Sequence, residues 1–142
     1  MNPTAEELLE GGKAAIAQAE PPEAGAVFSQ SKTGVAHLIM MLAQQEMANG
    51  VAVRVAENKA IRALFKEAAD WVPALKPRLL ALLRTEDADQ SIPALDAANV
   101  DLRNALIELH AATDSNKGRN MRVLRLLRLM AEGRKVDLPG MG

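Results

Sequence analysis

Apolar residues recur along most of the chain at intervals of three and four, the spacing that places side chains on one side of an α-helix. The spacing is clearest between residues 92 and 113, where it produces a heptad-like seam of Leu95, Ala98, Leu102, Ala105, Leu109 and Ala112, which Leu106 widens. No segment shows the strict alternation of apolar and polar residues that a half-buried strand would need. The pattern therefore predicts an all-α protein.

The same spacing predicts four further helices, at residues 3–19, 34–71, 77–85 and 117–134. The stretch 34–71 contains Gly50, so it is either one helix with a soft point or two helices. We favour one helix, because glycine inside a helix costs only about 1 kcal/mol and no loop-like residues follow Gly50. Residues 35–43 are apolar nearly all round, which predicts that this part is deeply buried.

The positions of Pro, Gly and Ser along the chain predict its domain organisation. Residues 1–33 should form a weak N-terminal helix and a linker rich in Pro, Gly and Ser, residues 34–135 the helical bundle domain, and residues 136–142 a flexible tail. Short connections favour an up-and-down helical bundle of four to five helices. The last two helices, joined by a turn at 113–118, should form a C-terminal antiparallel helical hairpin.

Composition narrows the classes of partner. The 142 residues carry a formal net charge of −1, contain no cysteine, and have Phe28, Phe65 and Trp71 as their only aromatic residues. The near-neutral charge and the lack of stacking platforms argue against nucleic acid. Without cysteine there are no disulfides or thiolate metal sites, which is typical of a cytoplasmic protein. No run is long enough to span a membrane.

The residues that carry metal, nucleotide or nucleophilic chemistry do not occur in the patterns that this chemistry needs. The two histidines, His37 and His110, are not preceded at three residues by glutamate, as a di-iron bundle would require. Gly25 followed by Ser31, Lys32 and Thr33 lacks the second glycine and the preceding strand of a phosphate-binding loop, so Ser31 or Thr33 is better explained as a helix cap. We therefore predict no metal, no cofactor and no catalytic residue.

A polar stripe borders the seam of the 92–113 helix. Asn99, Arg103 and His110 lie within about 40° of one another around the helix axis. Such a trio, joined by His37, would suit a small carboxylate or phosphate ligand in a groove between helices. The simpler interpretation is that these side chains border the core and bond to a neighbouring helix or to water.

The helix at 117–134 has arginine at every third position from Arg119 to Arg128. A rotation of about 100° per residue groups one set of apolar residues on one side: Val123, Leu124, Leu127, Met130 and Ala131. The opposite side and the back of the preceding helix then form a candidate interaction face, made of Arg122, Arg125, Arg128, Leu126, Leu129, Val100 and Ile107.

Charge is distributed unevenly between the last two helices. Residues 86–114 contain seven acidic residues and one base, whereas residues 117–135 contain seven bases and one acidic residue. Pairing within the hairpin is the simple explanation, with each exposed pair worth roughly 0–1 kcal/mol. The angular positions direct the arginines away from that pairing, so our leading hypothesis is a non-enzymatic interaction module. It would form a homodimer or bind a partner helix. A small-ligand-binding or enzyme-like bundle with its site around Asn99, Arg103 and His110 is the alternative.

Overall fold

The computed structural model describes residues 5–18 and 26–138. Over these residues the secondary structure consists of helices, without a strand, which confirms the all-α prediction. The five helices are α1 (Ala5–Gln18), α2 (Ala26–Ala68), α3 (Lys76–Leu83), α4 (Ile92–Thr113) and α5 (Lys117–Gly133). None of the helices in this part of the chain combines the length and apolarity that crossing a bilayer requires.

The predicted and observed helices agree best towards the C-terminus. Helix α4 has the predicted bounds, and α3 and α5 differ from the prediction by one or two residues at their ends. Helix α2 continues through Gly50, as favoured, but it begins at Ala26, so residues 26–33 are helical and not linker. No glycine or proline interrupts residues 26–33, and the predicted capping role of Ser31 or Thr33 therefore does not arise. Residues 19–25, which include Gly25, and residues 139–142 of the predicted tail lie outside the described residues.

The chain divides into two compact units, Met1–Gly50 and Val51–Gly142. The second unit has a continuous hydrophobic core that draws on the second half of α2 and on one side each of α3, α4 and α5. Its members include Ile61, Leu64, Phe65, Ala68, Leu79, Leu102, Ala105, Leu106, Leu109, Val123, Leu126 and Met130. Because α4 contributes residues spaced by three and four to this core, its predicted seam is the side on which it packs, apart from Ala112, which is exposed.

Helix α4 contacts both α3 and α5. Helix α5 begins where Asn116 caps it, with the Asn116 Oδ1 atom accepting a hydrogen bond from the Arg119 amide at 3.1 Å. Across the turn, His110 Nε2 lies 3.1 Å from Asn120 Oδ1. Such a contact is what an antiparallel pair would make, although the hairpin itself stays a prediction.

The first unit has a different character. Over residues 7–17 and 33–49 no side chain is buried, and Val35, Leu38 and Ile39 are exposed, against the expectation of deep burial. The cause is that α1 offers few large apolar residues to cover α2. Contacts between the two include a close approach of Gly12 to Met40 and a hydrogen bond of 2.8 Å from Lys13 Nζ to Gln44 Oε1.

Candidate functional site

A buried polar cluster lies between α2 and α4 in the second unit. Glu57 and Asn58 precede Ile61 by four and three residues, so they share its core-facing side of α2 and are buried with it. Asn99 of α4 is also buried, and its Nδ2 atom donates to Glu57 Oε1 at 2.8 Å and to Asn58 Oδ1 at 2.9 Å. The Asn58 Nδ2 atom in turn donates to the carbonyl oxygen of Leu95 at 3.3 Å.

Arg134, at the C-terminal cap of α5, closes the cluster from the far end of the chain. Its Nε donates to Glu57 Oε2 at 2.6 Å and its Nη2 to Glu57 Oε1 at 3.2 Å, which is a bidentate ion pair. Burial is the largest single effect and by itself would raise the pKa of Glu57, but the hydrogen bonds from Arg134 and Asn99 and the positive charges of Arg134 and Arg103 hold that pKa below its ordinary value. The hydrogen bond to Glu57 likewise raises the pKa of Arg134. Glu57 is therefore ionised at neutral pH.

A second ion pair extends the cluster to the loop before α4. Arg62 donates from Nη1 to Asp87 Oδ2 at 3.0 Å and from Nη2 to Asp87 Oδ1 at 2.8 Å. The Asn58 Nδ2 atom also reaches Asp87 Oδ1, at 3.3 Å. The Arg62 hydrogen bonds lower the pKa of Asp87 against the opposing effect of burial. The loop is thereby tied to α2.

The cluster is satisfied internally. In the part of the chain that the structure describes, no buried side-chain nitrogen or oxygen lacks a hydrogen-bond partner. A buried amide pair such as Asn58–Asn99 penalises any other alignment of its two helices, because a shift would leave both amides unpaired in the core. The arrangement accordingly fits a role in fixing how α2 and α4 align. A separate question is metal binding, and the described residues contain no group of three or more His, Cys, Asp or Glu side chains that could hold a metal ion.

The structure does not bring the predicted ligand residues together at one place. Asn99 and Arg103 both approach Glu57, with Arg103 Nη1 4.0 Å from Oε1 and the Arg103 side chain 49% exposed. His110 instead contacts Asn120. Although the three residues share one side of α4, the eleven residues from Asn99 to His110 span about 16 Å along the axis. His37 belongs to the first unit.

The predicted interaction face on α5 needs one correction. Leu126 is only 7% exposed and belongs to the core with Val123 and Met130, while Leu124, assigned to the core, is exposed. The phase was misjudged because leucines occur on nearly every side of α5, so more than one stripe with helical spacing can be drawn. Leu129 is 61% exposed, as predicted.

The arginines of α5 do not pair with the acidic residues of α4. Arg122 Nη2 lies 3.1 Å from Glu67 Oε1 on α2, and Arg119 Nη1 donates to the carbonyl oxygen of Trp71 at 3.0 Å. Arg125 and Arg128 are exposed and form no ion pair with any described residue. The acidic residues of α4 find other partners, since Asp96 pairs with Arg54 on α2 and Glu108 with Arg78 on α3.

Two large aliphatic side chains on α4 face solvent opposite its core side. Val100 is 57% exposed and Ile107 is 66% exposed, and they lie seven residues apart on the same side of the helix. We group them with four exposed residues of α5 under the name outer surface, defined as Val100, Ile107, Leu124, Arg125, Arg128 and Leu129.

Most of the buried polar cluster was missed from the sequence. Glu57, Asn58, Asp87 and Arg134 were not singled out, and only Asn99 was. The available signal was a polar residue at a core position: Asn58 and Asn99 interrupt apolar stripes on two different helices. Two such interruptions can satisfy each other when the helices pack together.

Comparison with known proteins adds no functional information for this chain. No protein-family model, no curated protein and no solved structure matches it. The functional argument therefore depends on the geometry of the two features described above, the buried polar cluster and the outer surface.

Proposed function

We propose that this protein is a non-enzymatic helical interaction module that forms a homodimer through the outer surface of α4 and α5. The observation that carries the proposal is the exposure of Val100, Ile107 and Leu129 on two helices whose other sides already form the core. Aliphatic groups of this size gain free energy when a partner removes them from water, about 25 cal/mol per Å² of apolar area.

The scaffold beneath the outer surface supports this proposal. The outer surface is held by a packed core and by the satisfied polar cluster, so little conformational freedom remains to be lost when a partner binds. Arg125 and Arg128 add two charges that lack a partner among the described residues. Charged groups beside an apolar patch typically form the rim of a protein–protein interface. A chain without cysteine suits assembly in the cytoplasm, where we expect the dimer to act.

Sedimentation velocity tests the dimer directly. The full chain of 15.2 kDa should sediment with twice that mass as its concentration rises from low to high micromolar values. The double variant Arg125→Glu, Arg128→Glu should remain monomeric at concentrations where the natural chain is dimeric. Lys59→Glu, Lys66→Glu provides the matched control, because it makes the same change in net charge at exposed positions outside the outer surface. A natural chain that stays monomeric throughout would remove the proposal.

A small-ligand site around Arg103 is the second candidate function. The observation that favours it is that the half-exposed Arg103 guanidinium lies near Glu57, beside Arg134, where two cations converge. Native mass spectrometry of the protein purified from its own host separates the candidates. A bound small anion would favour the ligand site, whereas a dimer of unmodified mass would favour the interaction module.

A further inference from the structure

Two arginines approach the same buried carboxylate from different parts of the second unit. The side chain of Glu57 is only 2% exposed. Its Oε1 atom accepts a hydrogen bond from Arg134 Nη2 at 3.2 Å and lies 4.0 Å from Arg103 Nη1. The first contact is a hydrogen bond, whereas the second is too long to be one. Glu57 therefore has one cation bound and a second cation close by.

The two arginines are anchored in different ways. Arg103 lies in the middle of α4, next to the buried Leu102 and near the buried Leu106, so the core holds this part of the helix. Arg134 is the residue at which α5 ends, and residues 135–138 after it are exposed and outside any helix. Helix ends open at little free-energy cost, whereas packed helix interiors open only together with the core. Arg134 therefore leaves the carboxylate more readily than Arg103 changes its place.

Release of Arg134 without a substitute would leave an unpaired charge in the core. Removing one partner of a buried ion pair disfavours the resulting state by a factor of roughly 10²–10⁴. Arg103 can prevent this, because its side chain is 49% exposed and a shift of about 1 Å brings Nη1 within hydrogen-bond distance of the carboxylate. Arg54, another cation whose charge acts on Arg134, is already paired with Asp96 at 2.6 Å. Arg103 is accordingly the better substitute.

We infer that Arg103 and Arg134 are alternative partners of Glu57, and that their exchange lets the end of α5 leave α2 while the core stays folded. In the closed state Arg134 binds Glu57, and a Cβ atom added to Gly133 would lie 4.0 Å from Val53 Cγ1. In the open state Arg103 binds the carboxylate, and the side of α2 around Val53 becomes accessible. The exchange takes place within one chain, so it does not depend on self-association.

Amide hydrogen exchange at the end of α5 tests this inference. The amides of Arg134 and Lys135 donate to the carbonyl oxygens of Met130 and Glu132, each at 3.2 Å, so they exchange when this turn opens. Arg103→Ala removes the substitute cation and makes opening less favourable. It should therefore slow exchange at both amides by about tenfold or more, as measured by NMR at one fixed low protein concentration.

Three further variants distinguish the exchange of partners from a general effect of charge. Lys59→Ala removes a cation at an exposed position two residues from Glu57 and should leave amide exchange unchanged. Arg103→Lys keeps a cation at the same position and should restore most of the natural exchange rate. Glu57→Gln removes the shared carboxylate, so adding Arg103→Ala to that variant should have no further effect on exchange.

The stability of the core provides a second readout. In Arg134→Ala the remaining Arg103 compensates for the lost cation, so the equilibrium constant for unfolding in urea should rise by about tenfold or less. The double variant Arg103→Ala, Arg134→Ala leaves Glu57 without either arginine. Its unfolding constant should rise by about 10²-fold or more, which exceeds the product of the two single effects. Circular dichroism on each protein checks that the helices are intact.

Slower exchange in Arg103→Ala, together with a double variant that loses more than the product of the single effects, supports the inference. Exchange that is unchanged or faster in Arg103→Ala overturns it, and so do single effects that simply multiply. In that case Arg134 alone pairs with Glu57, and Arg103 is an exposed cation beside a fixed ion pair. Neither result changes the expected outcome of sedimentation, so the proposed self-association stands or falls separately.

Discussion

Helix α2 belongs to both units of this chain, but the two units differ in how they are stabilised. In the second unit, Ile61 and Phe65 of α2 are fully buried against three other helices. In the first unit, Val35 and Ile39 of the same helix are exposed, and no side chain described there is buried. The sequence is helical in both, so local propensity alone does not account for the difference.

The two units differ in how much apolar surface the other helices present to α2. Helix α4 gives the second half of α2 a seam of leucines, whereas α1 gives the first half Leu8, Leu9 and Ile16 across two glycines. An isolated helix is marginal in water, and most helical stability in proteins comes from packing of an apolar side. The free energy of unfolding should therefore reside in the second unit, which is also the unit that carries the outer surface.

The largest expected effect compares two isoleucines of α2. Ile61→Ala should lower the free energy of unfolding by about 2–5 kcal/mol, because it leaves a cavity in the core. Ile39→Ala should lower it by less than about 0.5 kcal/mol, because that side chain is already in water. Urea unfolding at one fixed protein concentration measures both. Similar losses of unfolding free energy for the two variants would mean that Ile39 is packed in a core like Ile61, which would contradict the comparison of the two units.

A smaller effect is expected from the buried polar cluster. Asn99→Ala removes one donor to Glu57, which keeps Arg134, and leaves the buried Asn58 Oδ1 atom without its hydrogen bond from Asn99, at a cost of about 1–3 kcal/mol. Asn104→Ala, on an exposed position of the same helix, is the matched control and should change the midpoint of unfolding very little. In the first unit, Gln44→Ala removes one partner of Lys13, which keeps its ion pair with Glu10, and should also cost less than Asn99→Ala. Equal costs at Asn99 and Asn104 would remove the structural role of the cluster.

The smallest expected effect is a dependence of the free energy of unfolding on pH in the acidic range. The pKa values of Glu57 and Asp87 are lowered in the folded state from ordinary values of 4.5 and 3.8, so their stabilising contribution is complete above those values. This stabilising contribution decreases as the pH falls below the ordinary pKa values, and it is lost once the pH has fallen through the lower pKa values of the folded state. Glu57→Gln should make the fall of unfolding free energy between neutral and acidic pH shallower. An unchanged slope would show that Glu57 does not contribute to it.

The sequence predicted what depends on local spacing and missed what depends on distant partners. Helix α4 was located correctly because one stripe of apolar residues dominates it. The core side of α5 was misplaced because Leu124, Leu126 and Leu129 fill several sides, and only contact with α2 and α4 selects among them. The link between Glu57 and Arg134 joins residues 77 apart in the chain, and no local pattern connects them. Val100 and Ile107 could be picked out because they fall outside a strong seam.

The central claim, that the chain associates through the outer surface, is tested most directly by two matched substitutions. Ile107→Lys lies on the outer surface, and Ile39→Lys lies on the first unit, where the exposed fraction of the side chain is 59% against 66% at Ile107. Both place the same charge at the same residue type on an exposed helical face. Sedimentation velocity over a range of concentrations should give a monomer for Ile107→Lys and a dimer for Ile39→Lys. The reverse result, with dimerisation lost only at Ile39, would contradict the account.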